Sequence, residues 1–199
     1  PEVNSINSSS IVFVDSASTL DVKSLNGNDI GVGIQISSGS NVEVDSLVLH
    51  DSNVGISQSG TANVIFHSVE FSGTNGIGID WSSVSGADIS NVTVNSQSSI
   101  GTILRSVDLS SGSLQDVTAF GNFTNTPAFY LDVSGSLNLH NITAVNYSQG
   151  IVARGQGLIE LSEVILEVSS LIIDAIGQIS IDASHSNWST ESEGAILGN

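Results

Sequence analysis

Eight apolar residues recur down this chain at nearly constant spacing. They are Val22, Val44, Phe66, Ile89, Leu114, Leu139, Leu161 and Ile181, separated by 22, 22, 23, 25, 25, 22 and 20 residues. Around each one the pattern alternates apolar and polar, as in Val42-Glu43-Val44-Asp45 and Leu137-Asn138-Leu139-His140. Alternation with period two marks a strand with one face buried. Once per repeat the alternation is broken by two adjacent polar residues, which places a corner there. A recurrence of this length with strand periodicity predicts coils of short strands stacked on one another.

The corners carry their own column: Ser24, Ser46, Ser68, Asn91, Asp116, Asn141, Glu163 and Ala183. Ser, Asn and Asp bond to nearby backbone, and Asn and Asp tolerate the left-handed conformation. A second column, Gly33, Gly55, Gly76, Gly101 and Gly150, is expected at corners that need positive φ. Helical repeats are excluded because Ser, Gly, Asn, Val and Thr, which dominate the repeats, are mediocre or poor helix formers. Propeller blades need repeats of about 40 residues. The remaining solution is an all-β solenoid of about eight coils with roughly 22-residue repeats. It is read as a single domain over 1–199, with an N-terminal strand or tail at 1–14, coils at 15–190 and an end strand at 191–199.

The run Gly135-Ser136-Leu137-Asn138-Leu139-His140-Asn141-Ile142-Thr143-Ala144, with Gly150-Ile151, resembles the right-handed parallel β-helix of the pectate-lyase-like superfamily. The resemblance covers roughly residues 10–190. The closing Ile181-Asp182-Ala183-Ser184-His185-Ser186-Asn187-Trp188 is similar to the Asn-Trp segment ending many prokaryotic cell-surface β-helices. Those usually continue Trp-Gly, whereas this chain continues Ser189-Thr190. The resemblance implies a right-handed parallel β-helix. It implies no single activity, because this fold carries lyases, hydrolases, tailspikes, adhesins and surface proteins alike.

Lyases of that superfamily hold Ca²⁺ on several carboxylates beside an Arg or Lys base, and its hydrolases cluster aspartates on neighbouring coils. Here Lys23, Arg105 and Arg154 fall in different columns. Asp21, Glu43 and Asp88 share an outward column, interrupted by Ile65, while Asp45, Asp116 and Asp182 stand near corners. No catalytic residue and no metal ligand is therefore assigned, and the expectation is a protein that is not an enzyme and has no cofactor. Asn26-Gly27-Asn28-Asp29-Ile30-Gly31 resembles half of a calcium-binding Gly-Asp turn, but one copy is read as a long polar corner. The acidic surface is expected to collect Ca²⁺ only loosely. His67 and His140 share a column three coils apart, too far to bind one ion at ~4.8 Å per coil. They are read, with His50 and His185, as solvated. Phe13, Phe66 and Phe71 are expected in the core, and Trp81, Tyr130 and Tyr147 on the outside as sugar-stacking candidates.

Twenty acidic residues against three Lys and Arg give a net charge of −17. Such a surface has too few cations to pair with phosphate, so nucleic acid is not an expected partner. No run of 18 apolar residues exists, so membrane insertion is not expected. The absence of cysteine excludes disulfides and thiolate sites. Asn-x-Ser/Thr sequons at Asn7, Asn91, Asn122, Asn141, Asn146 and Asn187 are glycosylation candidates. Asn91 and Asn141 lie in the corner ladder, while Asn122 and Asn146 lie in long polar stretches and are better acceptors. Glycans would make this an extracellular or cell-surface glycoprotein.

The chain begins at Pro1, which predicts a processed form or an excerpt of something longer. Two apolar stretches, Ile11-Val12-Phe13-Val14 and Ala195-Ile196-Leu197, are the assembly candidates. Open strand edges invite association, so head-to-tail self-association or contact with adjoining domains is expected. The functional expectation is a non-catalytic extracellular subunit or module of a cell-surface filament or coat. A carbohydrate-binding adhesin module comes second, and a polysaccharide lyase or hydrolase third.

Overall fold

A computed structural model describes residues 2–6, 10–94, 99–121, 126–190 and 196–198. The described residues contain fifteen strands and no helix. In chain order they are β1 (Glu2–Ile6), β2 (Ser10–Val14), β3 (Thr19–Ile36), β4 (Asn41–Ser59), β5 (Asn63–Phe66), β6 (Val69–Ser72), β7 (Thr74–Ser82) and β8 (Ser85–Val94). There follow β9 (Ser99–Val107), β10 (Leu109–Phe120), β11 (Pro127–Gly155), β12 (Leu158–Gly177), β13 (Ser180–Ser184), β14 (Asn187–Thr190) and β15 (Ile196–Gly198). The longest strands bend through corners and continue on the next face. All pairings are parallel, in a path β1-β3-β4-β5-β8-β10-β11-β12-β13 with the other strands beside it. The chain is a parallel β-solenoid of about eight turns.

The apolar column is the spine of the ladder. Val22 pairs Val44, Val44 pairs Phe66, Phe66 pairs Ile89, and the series runs on through Leu114, Leu139 and Leu161. All seven are buried. Each such side chain contributes about 1.5–3 kcal/mol on leaving water. The column ends at Ala183, the partner of Leu161, whereas Ile181 pairs Ile159. Ile181 and Ala183 share a face two residues apart, so the register places Ala183 where the apolar spacing predicts Ile181. The last repeat is therefore 22 residues, like the first.

The corner column shifts with it, from Ala183 to His185. Asn91, Asp116, Asn141, Glu163 and His185 hold φ between 51° and 57°. Where this corner is Ser24, Ser46 or Ser68, the left-handed residue sits five positions later instead, at Asp29, Asp51 and Gly73. Asn, Asp and Gly tolerate that conformation better than Ser, which accounts for six of the eight repeats; in the last two, Glu163 and His185 take it without that preference. Asp29 thus belongs to an ordinary corner stack, and Asn26–Gly31 is part of the coil.

The expected glycine column has a different cause. Gly33, Gly55, Gly76, Gly101 and Gly150 are not among the residues with positive φ. Gly33, Gly55, Gly76 and Gly150 are required by crowding: a Cβ on Gly55 would stand 2.5 Å from the Gly78 carbonyl oxygen and 2.5 Å from the Phe71 ring. Gly33 faces the carbonyl of Gly55 in the same way.

Candidate functional site

The aromatic side chains divide differently from the expectation. Phe66 and Phe71 are buried, but Phe13 is 55% exposed. β2 pairs Val12 with Ile34 and Phe13 with Gln35, so Val12 faces the core and Phe13 faces out. The run Ile11–Val14 is apolar throughout, and parity cannot be read from a run without alternation. Trp81 and Tyr147 are core residues, not an outer platform. Trp81 stands in register with Gln58, below Ile36, on the inner face. Trp81 Nε1, the Tyr147 hydroxyl and both amide atoms of Gln58 are buried without a hydrogen-bond partner. Burial also pushes the Tyr147 phenol pKa far up, because the phenolate would lose its hydration.

Of the three sugar-stacking candidates, Tyr130 stays on the outer face while Trp81 and Tyr147 are buried. It pairs with Arg105, whose Nε donates to Asp80 Oδ1 at 2.9 Å and whose Nη2 donates to Asp80 Oδ2 at 2.5 Å. The hydrogen bond to Asp80 raises the Arg105 pKa, with desolvation opposing. Arg154, one coil on, lies 5.4 Å from the Tyr130 ring centroid, within cation–π range. Two of the three cations thus sit on one sheet face, one paired with a carboxylate and the other stacked on an aromatic ring.

The outward carboxylate column runs Asp21, Glu43, Ile65, Asp88, Ser113, Asn138, Glu160 and Asp182. It brings Asp21 beside Glu43 and Glu160 beside Asp182, with Ile65 interrupting after Glu43. The neighbouring column places His67 next to Asp45, and His67 Nε2 lies 3.3 Å from Glu43 Oε1. Glu43, Asp45 and His67 each offer a ligand atom, and the three lie within 4.8 Å of one another. The spacing of the histidines alone relates His67 to His140 and does not reveal this group. Its signal was nonetheless present, since His67 follows Asp45 by one repeat of 22. His50 is engaged at both ring nitrogens, Nδ1 at 3.0 Å from Ser72 Oγ and Nε2 at 3.0 Å from Asp51 Oδ2.

The sequons fall in several environments. Asn91 Nδ2 donates to the His67 carbonyl at 2.8 Å, and Asn141 Nδ2 donates to Asp116 Oδ1 at 2.7 Å. Asn146 stands at a second corner with φ 64°, and Asn187 is exposed in β14. Asn7 and Asn122 lie outside the described residues. Of the assembly candidates, Ile11 and Val12 pack on the core edge, and Val14 is buried. Ile196 and Leu197 belong to β15, paired with Ile173 and Asp174 of β12. Ala195 lies outside the described residues.

No protein-family model, no curated protein and no solved structure matches this chain.

Proposed function

We propose that this protein is a non-catalytic, extracellular structural subunit or module of a cell-surface filament or coat, joined to its neighbours through the ends of the solenoid. The observation that carries this reading is the pair of edges. β1 and β2 pair only with β3 on one side, and β13, β14 and β15 pair only with β12 on the other, among the described residues. Because every pairing is parallel, the donors and acceptors of one edge have the polarity that the other edge needs. A second solenoid can therefore extend the same ladder head to tail, a heterologous contact that propagates.

The end cross-sections add apolar surface. Leu20 and Val12 at one end, and Ile181 and Trp188 at the other, pack on the core but are only partly covered. The motif at Gly135–Ala144 and the Asn187-Trp188 close support a right-handed helix of the pectate-lyase-like, cell-surface type. Sequons exposed beside the ladder support a glycosylated, extracellular protein. A carbohydrate-binding module is the second reading, favoured by Tyr130 on an outer face with Arg105 and Arg154 beside it.

Sedimentation velocity against concentration, with negative-stain electron microscopy, tests the first reading. The expected result is association into linear stacks that Leu20→Lys and Ile181→Lys each abolish while far-ultraviolet circular dichroism is unchanged. Monodisperse single particles at high concentration would refute it. Binding on a glycan array that is lost in Tyr130→Ala would support the second.

A further inference from the structure

One group of ligand-type side chains has no part in end-to-end assembly. Val42 and Val44 of β4 point into the core, so Glu43 and Asp45 point outward side by side. Val44 pairs with Phe66 one coil on, which sets His67 beside Asp45. We infer that Glu43, Asp45 and His67 together hold one divalent transition-metal ion of the zinc type, clamped between β4 and the bend after β5.

The donor set selects the ion. Imidazole with carboxylates suits Zn²⁺ and its first-row neighbours, whereas Ca²⁺ and Mg²⁺ take oxygen ligands. Three protein ligands leave a position for water or a further ligand. Geometry agrees with this. Metal–ligand bonds of about 2.0–2.2 Å keep any two ligand atoms within about 4.4 Å of each other. The three groups already lie within 4.8 Å, and all three side chains are exposed and free to turn the small remaining distance. The backbone beneath them is fixed by the ladder, so only side chains must be ordered. The neutral imidazole binds through Nε2, which lies 3.3 Å from Glu43 Oε1, with its proton on Nδ1; from the Nε2–H tautomer, Nε2 gives its proton to solvent and Nδ1 takes one up.

Local charge favours a cation. Asp21 stands beside Glu43 on the preceding coil, and the whole chain carries −17. Lys23, next to Asp45 on that coil, is the one opposing charge among the described neighbours. At the other acidic pair, Glu160 and Asp182, His140 stands one coil away in register with Ser162, but among the described residues only Glu43, Asp45 and His67 bring three ligand atoms within 4.8 Å of one another.

The test is titration of the intact protein with Zn²⁺ by calorimetry in a non-coordinating buffer. The expected result is one ion per chain, bound at least about tenfold more weakly in His67→Gln and in Glu43→Gln. His50→Gln should leave the isotherm unchanged, and excess Ca²⁺ should not displace the ion. A variant-free measurement stands beside it: substoichiometric Co²⁺ should broaden the His67 ring resonances before those of His140 and His185. Equal Zn²⁺ affinity in His67→Gln, displacement by equimolar Ca²⁺, or uniform broadening of all the histidines would overturn the inference in favour of a diffuse counterion atmosphere.

Discussion

Tyr147→Phe isolates one hydroxyl in the core. Tyr147 is 2% exposed, and its hydroxyl has no hydrogen-bond partner. The substitution keeps the ring and removes only the unsatisfied group, whose burial costs about 1–3 kcal/mol. At pH 7 the variant should be more stable by about 1 kcal/mol, which is about 2–4 °C in Tm for a chain of this size. The pH dependence sharpens the test. Burial raises the folded-state phenol pKa far above the unfolded value of about 10. Below pH 10 both states hold the proton, and the phenol adds no slope. Above it the unfolded chain releases the proton while the folded chain keeps it, so wild-type stability falls by about 1.4 kcal/mol per pH unit from this group. Tyr147→Phe lacks that loss, and Tyr130 cancels because both proteins carry it. Urea unfolding followed by circular dichroism at pH 9, 10, 11 and 12 reads the difference. The gap between variant and wild type should widen steadily above pH 10. A constant gap, or a less stable variant at pH 7, would refute the assignment of Tyr147 to a dry core.

Further consequences concern the ladder itself. Leu139→Ala, in the middle of the buried column, should cost about 2–5 kcal/mol in chemical denaturation, because neighbouring coils cannot collapse onto the gap. Gly55→Ala should cost more than Gly86→Ala by thermal denaturation: a Cβ at Gly55 meets a carbonyl and the Phe71 ring, whereas at Gly86 (φ 81°) nothing lies within 4 Å. Equal costs, or a larger cost at Gly86, would refute the crowding explanation for Gly55. Gln58→Met should raise stability by about 1–3 kcal/mol, since both amide atoms are buried without partners; a lower Tm would mean that the amide is satisfied in solution.

Much of this architecture was legible because two periods coincide. Strand parity fixes which face a residue takes, and the 22-residue repeat of Val22, Val44 and Phe66 fixes what lies above and below it. The reading failed where one period was missing. Ile11–Val14 has no alternation, so its sequence does not show that Phe13 faces outward. Trp81 and Tyr147, expected on an outer sugar-stacking face, lie in the core, and Gln58 and Trp81 share the inner face despite their polar atoms, so polarity alone does not give the face. Ile181 and Ala183 are both apolar and share a face, so the pattern alone does not separate them, and the strand register gives the column to Ala183. The glycines were legible as corner residues, but their cause was not, since the Phe71 ring and the Gly78 carbonyl that crowd Gly55 belong to the next coil. Glu43, Asp45 and His67 are legible only when repeat and parity are taken together, because the group joins a histidine to carboxylates of the preceding coil.

The stacking order is the central claim, and it is directly measurable as distance. The chain has no cysteine, so pairs of introduced cysteines can carry spin labels without interference. Asp21, Ser113 and Asp182 lie in one outward column, at the first, fifth and eighth positions. At ~4.8 Å per coil, backbone separations from Asp21 should be about 19 Å to Ser113 and about 34 Å to Asp182. Pulsed electron–electron resonance on the two double-cysteine variants should return distances that grow in that proportion. Similar distances for both pairs, or a shorter one to Asp182, would contradict the solenoid.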